Sequence, residues 1–477
     1  MAVATRAIQR TSLTAWSNPA ELVRIIVILS LPVAATNALQ FMLGFVDTRM
    51  VSPIGAPALA AMGVARPSMM LMMSVFMGLG VGITAHVARH TGAGEHDTAR
   101  SYATIGVVSG GVIGLLLMSI GLLVGPTPFH IMATSQGGGV DAAASLATQQ
   151  YAWDFMRILF ISLGGVGMQA ASVSVFNSLG RTTYPMWLLV MNNVLNFAGN
   201  IILIPRYHVA GCAASTALTT LMAAIVAVTV LTREGVLRWD ALHLAAPLRR
   251  AWEMLRIGLP ATAQMAFRNL SMLAIFKMIT FLPNSIVGQG ALQVGLQAEG
   301  LAFMPAFAFS IAAATLVGQN LGARRPEQAR QAALYCVIGS QIVMWGIGSL
   351  LFFFPEYFVG LCIGNSTPEV IAPAANFLRI LALCLPGLGA GMTFMGVLRG
   401  AGDTAITAGI SFTAMWAIRI PLAALLAFSM LGNTTFGYGL GLSGIWWAMT
   451  ISVYIETALA YARFASGKWA KVKLAED

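Results

Sequence analysis

The stretch Gln40-Phe-Met-Leu-Gly-Phe-Val-Asp47 ends on a carboxylate, far along the first long apolar run of the chain. A charge inside a bilayer is expensive, and acids found there mark ion pathways and proton relays. Counting back from Asp47, Gly44, Gln40 and Asn37 follow at spacings of three, four and three. On a helix those positions share one face. The first helix therefore carries a polar stripe tipped by an acid, and the chemistry that suits it is reversible protonation. A second stripe lies in the fifth apolar run, where Asn193, Asn196 and Asn200 are spaced three and four. An unpaired amide in hydrocarbon costs a few kcal/mol. These amides either glue neighbouring helices together or face the Asp47 stripe and hydrogen-bond its carboxyl group. Several amides on one face favour the second reading.

The later half of the chain carries different chemistry. Gln264, Arg268 and Ser271 follow at spacings of four and three in the seventh run, with Lys277 on the opposite face, placed to snorkel to the outer interface. The eighth run carries Gln289, Gln293 and Gln297, with Glu299 on another face. Glu299 is either the structural partner of a buried cation or a second protonatable group. Gln264, Arg268, Gln293, Gln297 and Met304 are the candidates to line a substrate cavity. Asp154 and Arg157 are three apart and positioned to pair on one helix. Arg379, Arg419 and Glu456 are expected to pair or to snorkel.

Enzyme motifs are absent: there is no P-loop, no HExxH and no acidic cluster suited to a metal-diphosphate. The six histidines show no metal-ligand spacing, so no metal site and no cofactor are expected. Cys212, Cys336, Cys362 and Cys384 are scattered in apolar context and read as free core thiols. Without a nucleotide motif, an ion gradient is the remaining obvious energy source.

Positioning an acid in a bilayer requires helices that cross it. Of the 477 residues, 57% are hydrophobic and only 9% charged, against about 25% charged in soluble domains. Mean hydropathy is +0.78. This is a polytopic membrane protein, and residues 1–21 lack the short apolar core of a cleavable signal peptide. At about 20 residues per crossing, twelve apolar runs are expected, which excludes a membrane barrel of alternating strands. The net charge of +10 does not indicate nucleic acid. About 18 of the basic residues, Arg399 among them, fall in one set of loops and tails and one, Arg206, in the other, as the positive-inside rule requires. Both termini are therefore expected on the cytoplasmic side.

The chain also repeats itself. Leu29-Ser-Leu-Pro32-Val-Ala-Ala echoes Arg256-Ile-Gly-Leu-Pro260-Ala-Thr-Ala. Thr91-Gly-Ala-Gly-Glu-His-Asp-Thr-Ala-Arg100 answers Leu321-Gly-Ala-Arg-Arg-Pro-Glu-Gln-Ala-Arg330, and Ser178-Leu-Gly-Arg-Thr182 answers Gly400-Ala-Gly-Asp-Thr404. The offsets are 228, 230 and 222. The expected architecture is an all-α integral membrane fold of two parallel six-helix repeats, related by a pseudo-twofold along the membrane normal. Its parts are a cytoplasmic segment 1–21, an N-lobe 22–232, a basic amphipathic linker 233–253 on the cytoplasmic interface, a C-lobe 254–463 and a cytoplasmic tail 464–477.

Three stretches carry a family resemblance: Val46-Asp47-Thr48 followed by Ile54-Gly-Ala-Pro-Ala-Leu-Ala-Ala61, then Leu316-Val-Gly-Gln-Asn-Leu-Gly-Ala323, then Leu398-Arg-Gly-Ala-Gly-Asp-Thr404. In this order, on a two-by-six repeat, the chain resembles the MATE (multidrug and toxic compound extrusion) transporters over most of its length. The resemblance implies a V-shaped pair of lobes exporting amphipathic, often cationic compounds in exchange for H+ or Na+. Asp47 matches the family's essential first-helix acid, and Pro32 the proline about which that helix bends in the archaeal and DinF-type branch. Asn196 falls on that branch's fifth-helix asparagine, and Asn200 on a position where the branch often has a second acid. The NorM-type branch has a glutamate where this chain has Arg268 and an aspartate where it has Leu388. Glu299 resembles a glutamate common in the eighth helix of the DinF-like branch.

The expected function is thus a DinF-type secondary multidrug antiporter of the inner membrane. It is a monomer, and it couples export of small amphipathic substrates to H+ through Asp47 and Glu299. Asn37, Gln40, Asn193, Asn196 and Asn200 are the expected partners of the acid. The alternatives are Na+ coupling, or a lipid-linked precursor or metabolite flippase of the same superfamily. The expected partners are the lipid bilayer and small substrates, not nucleic acid.

Overall fold

The computed structural model describes residues 19–127, 142–242, 247–282, 285–363, 368–428, 430–431, 434–435 and 438–472. The N-terminal segment to residue 18, the middle of the linker at 243–246 and the tail from 473 lie outside the described residues. Within them the chain is helical, apart from one short ladder pairing Met430–Leu431 with Thr434–Thr435. Long apolar runs become helices because hydrocarbon offers the backbone no partner but itself.

The helices of the first half are α1 (Pro19–Val51), α2 (Ala56–Ala93), α3 (His96–Val124), α4 (Ala142–Ser178) and α5 (Thr183–Arg233). The second half holds α6 (Pro247–Ile279), α7 (Ser285–Gly322), α8 (Pro326–Phe353), the short α9 (Pro355–Ile363) and α10 (Pro368–Gly400). It continues through α11 (Thr404–Phe412), a π-helical stretch Thr413–Arg419, α12 (Ile420–Ala427) and α13 (Leu442–Ala465). Nine helices among the described residues are long and apolar enough to cross a bilayer, with Thr404–Ala427 counted as one. At 51 residues, α5 is two crossings, broken at His208 (φ 52°, ψ −130°). Ser215 on its second half donates to the Asn196 carbonyl on its first, so the two halves run back along each other. With the more polar α6 and α13, the spans number twelve.

The repeat read from the sequence recurs in the backbone turns. After α2, Gly94 (φ 80°) donates to the Thr91 carbonyl and Glu95 to His90. After α7, Arg324 (φ 58°) donates to Leu321 and Arg325 to Asn320. After α4, Gly180 donates to Asn177 and Arg181 to Phe176; after α10, Gly402 donates to Arg399 and Asp403 to Leu398. All four are the paired left-handed closure that satisfies a helix's last carbonyls.

Charge is conserved across the repeat in magnitude but not in sign. Arg181 pairs with Glu234, at the end of the sixth span. The equivalent Asp403 pairs with Arg463, at the end of the twelfth, at 2.7 Å. In each half the loop after the fourth span is tied to the end of the sixth by an ion pair.

The described residues form two compact units, one within Ala35–Leu259 and the other from the segments up to Ala34 and from Pro260 onward. Within the first, α3 and α4 approach closely: a Cβ on Gly167 would lie 2.0 Å from the Gly110 carbonyl oxygen. Membrane helices associate through such small residues because lipid supplies no hydrophobic drive. Within the second unit, Ile275, Leu292, Phe377, Leu381 and Trp446 form one apolar core. Leu22, Ile25, Ile26 and Leu29 of α1 enter another, with Leu316, Phe394, Phe464 and Trp469. Two helices pass from one unit into the other, α1 at Ala34/Ala35 and α6 at Leu259/Pro260. The first crossing lies two residues past Pro32 and the second at Pro260. Proline lacks the N–H that would close the helix there, so each crossing falls where its helix bends most easily.

Candidate functional site

Asp47 lies in the second half of α1 and is 7% exposed. Its neighbours come from α5. Asn200 Nδ2 donates to Asp47 Oδ1 at 2.7 Å, and Thr216 Oγ1 to Oδ2 at 3.3 Å. The Cys212 thiol is also hydrogen-bonded to the carboxylate. Asn200 donates in addition to Asn196 Oδ1 at 3.0 Å, and Asn196 Nδ2 to Thr216 Oγ1 at 3.0 Å. Asn196 and Asn200 are fully buried. The break at His208 makes this possible, because folding α5 back sets Asn196 and Asn200 beside Cys212 and Thr216.

Every atom donating to Asp47 is neutral, and among the described residues no cation forms an ion pair with it. A buried carboxylate in this condition is either stabilised by donors or neutralised by a proton. One atom is left over: Asn200 Oδ1 is buried with no hydrogen-bond partner.

The other expected partners of the acid are placed differently. Asn193 is turned from the site and donates to the Leu189 carbonyl of its own helix at 2.9 Å. The spacing that puts it on the Asn196 face leaves it about two turns from Asn200, which meets the carboxylate. Gln40 is exposed and Asn37 half-buried. Pro32 sits inside α1, at the passage between units. Thr216 is not marked by the sequence reading, and Cys212 is marked there only as a core thiol. Their spacing of four, with Thr219 three further on, was the available signal.

The second unit holds a separate polar cluster. Arg268 Nη2 pairs with Glu299 Oε1 at 2.9 Å, with its guanidinium 5.2 Å from the Phe303 ring centroid. Gln264 accepts from Arg399 Nη2 at 2.7 Å and donates to Ser411 Oγ at 2.6 Å; Ser411 donates to Glu456 Oε1 at 2.5 Å. Gln264, Arg268, Arg399, Ser411 and Glu456 line a cavity of about 50 Å3, with Phe303, Phe307 and Met265 among its apolar walls. Gln297 is exposed and Met304 half-buried, and neither is in this lining. The Gln293 side chain lies outside the described set.

One expectation is corrected here, and the partners of three further charged groups are assigned. Arg399, read as a loop cation, lines the cavity, because its side chain reaches Gln264 rather than the membrane surface. Arg379 joins neither Arg419 nor Glu456; it pairs with Glu356 at 2.6 Å. Glu456 and Arg419 do not pair with each other; Arg419 donates to Ser452 at 2.8 Å. Lys277 is exposed beside Phe281, and Asp154 pairs with Arg157 at 3.0 Å. Cys212, Cys336 and Cys384 are buried free thiols; the side chain of Cys362 lies outside the described set.

A third cluster lies in the first unit, where the linker enters α6. Tyr102 donates to Glu253 Oε2 at 2.5 Å and Arg249 Nε donates to Glu253 Oε1 at 2.9 Å, while His86 and His90 stack on the Tyr102 ring at 4.5 and 5.2 Å. Burial pushes the Glu253 carboxyl up. The Tyr102 hydroxyl, the Arg249 guanidinium and the neighbouring His86 outweigh it and hold the group below the usual carboxylate range.

Among the described residues, no group of His, Cys, Asp and Glu side chains is arranged to hold a metal. The arrangement offers a buried acid among neutral donors on spanning helices, which is the equipment of a carrier. Comparison with known proteins gives the same answer. The family model MatE matches twice, over residues 32–202 and 260–425, one match in each repeat. The chain is 25% identical over 449 residues to the probable multidrug resistance protein NorM of Thermotoga maritima, covering 93% of this chain and 92% of that one. It is 28% identical over 437 residues to the probable multidrug resistance protein NorM of Pseudomonas aeruginosa, covering 88% and 84%. Its fold matches a MOP superfamily transporter from Pyrococcus furiosus at a TM-score of 0.83, with 18% identity over 95% of this chain and 97% of that one. A multidrug resistance MATE family transporter in an outward-facing conformation matches at 0.82, with 19% identity over 94% and 97%. With the family model matched over well over half its residues, in both repeats, this multi-pass membrane protein belongs to the MATE family, whose members are transporters and not enzymes.

Proposed function

We propose that the chain is an H+-coupled antiporter of the inner membrane that exports small amphipathic, often cationic compounds. It works as a monomer with both termini cytoplasmic. The observation that carries this reading is the Asp47 carboxylate, buried at 7% exposure and met only by neutral donors. In the ionised state Asn200, Thr216 and Cys212 hold the negative charge. A proton arriving from outside removes the charge and turns Asp47 into a donor. The unsatisfied Asn200 Oδ1 is the acceptor at hand, and an amide presents either end by rotating about one bond. Protonation thus rewires the contact between α1 and α5. The helix then rearranges near Pro32, cargo leaves outward, and the return to the inward state sheds the proton.

Glu299 takes no part in this scheme, because Arg268 already compensates its charge. Arg268 and Leu388, where the NorM-type branch has acids, support the DinF-type branch. A Na+ ion at Asp47 would have to displace the amide N–H that lies 2.7 Å from Oδ1. The test is efflux from proteoliposomes driven by a proton gradient without Na+. Proton-driven efflux by wild type, lost in Asp47→Asn, is the expected result. Efflux driven only by a Na+ gradient would overturn the ion assignment.

A further inference from the structure

One cluster of the second unit sets three guanidiniums, of Arg268, Arg399 and Arg419, against two carboxylates, of Glu299 and Glu456; Arg419 is buried but does not line the cavity. Arg268 is matched by Glu299. Arg399 and Arg419 form no ion pair among the described residues; their hydrogen bonds go to the neutral Gln264 and Ser452. Arg399 Nε is buried without any partner. The remaining carboxylate of the cluster is Glu456, which accepts from Ser411. Two unmatched guanidiniums against one carboxylate leave one positive charge in excess. Buried charges in proteins are paired or hydrogen-bonded, because a low-dielectric interior penalises any that is not.

We propose that the cavity lined by Gln264, Arg268, Arg399, Ser411 and Glu456 binds one small monovalent anion, held chiefly by the Arg399 guanidinium. This site is independent of the proton chemistry at Asp47. The size of the space selects the ligand. About 50 Å3 holds a few waters, each needing roughly 10–15 Å3 by the same measure. A halide or formate fits, and so does a single carboxylate projecting from a larger molecule. The polar surface suits such a guest. Arg268 and Arg399 supply N–H donors at the wall, while Phe303, Phe307, Met265, Met392 and Met395 exclude water around it. Glu456 lines the same cavity and opposes the anion, so it sets how tightly the anion is held. The relay from Arg399 through Gln264 and Ser411 to Glu456 keeps that carboxylate hydrogen-bonded while the guest is absent. The anion has two sources with one chemistry: a free ion, or the carboxylate of a zwitterionic cargo.

Chloride binding to the purified protein in detergent tests this, read as 35Cl line broadening and as thermal stability in chloride, formate or sulfate at equal ionic strength. Saturable broadening is expected, displaced by formate and not by the neutral formamide at equal concentration. Arg399→Gln should abolish it. Glu456→Gln keeps the cation and removes the opposing charge, so it should bind chloride roughly tenfold more tightly. Displacement by rhodamine 110, which bears a free carboxylate, and not by its methyl ester rhodamine 123 assigns the site to cargo; displacement by neither assigns it to the free ion. Broadening that does not saturate, equal effects of sulfate and chloride on thermal stability, or weaker binding in Glu456→Gln would each overturn the proposal, even if Arg399→Gln fails to fold. None of these readings requires transport, so a failed antiport assay leaves the result intact.

Discussion

Asn200 meets Asp47 with its N–H, 2.7 Å from the carboxylate, while its own carbonyl oxygen has no partner. The amide is thus set for the charged acid and holds an acceptor in reserve for the neutral one. An Asn200→Leu protein has neither end. It is expected to insert and fold but to lose at least tenfold in proton-driven efflux, a loss of about 1.4 kcal/mol or more in coupling. Efflux at the wild-type rate would show that Asn200 only packs.

The swapped ion pairs predict a rescue. Arg181→Glu places like charges together at the Arg181–Glu234 pair and should lower thermal stability in detergent. Adding Glu234→Arg restores opposite charges in the order of the second half, Asp403 with Arg463. The double variant should recover most of the loss, with a coupling energy of about 1 kcal/mol for a partly exposed pair. Arg463→Ala should cost more than Arg181→Ala, because its partner Asp403 is only 8% exposed.

Helix approach sets a third expectation. A Cβ on Gly167 would lie 2.0 Å from the Gly110 oxygen and 2.8 Å from the Phe76 ring. Neither neighbour is the free end of a flexible chain, so α3 and α4 must separate. Gly167→Ala should destabilise by about 1–3 kcal/mol, read as a lower unfolding temperature in detergent. At Gly346, where nothing lies within 4 Å, the same change should be neutral.

The Tyr102–Glu253 contact predicts a pH dependence. Glu253 is held below its ordinary value of 4.5. Its contribution to stability is therefore complete above about pH 4.5 and fades as pH falls through the lower, folded-state value. Glu253→Gln should flatten the acid limb of the thermal stability curve, and Tyr102→Phe should do so in part. An unchanged acid limb in Glu253→Gln would remove Glu253 from the account.

Much of this protein is readable along the chain, because the bilayer leaves few choices. Long apolar runs must be helices, and the recurrence of Pro32 as Pro260, Gly94 as Arg324 and Arg181 as Asp403 is linear information. Asp47 is identifiable by cost alone, and the three-and-four spacing puts Asn196 and Asn200 on one face. What spacing does not carry is which face meets which helix. Asn193 shares the stripe yet bonds to its own backbone, and Gln40 shares the Asp47 stripe yet is exposed. Thr216 and Cys212 reach Asp47 only because the chain reverses at His208. The Arg399–Gln264–Ser411–Glu456 relay joins four helices, and no local pattern brings α6, α10, α11 and α13 together. Which unit the first part of α1 or of α6 belongs to is equally silent in sequence. Composition and periodicity settle what must be buried and in what form. Packing settles which buried group answers which, because a hydrogen bond depends on the positions of two atoms and a sequence orders only one chain.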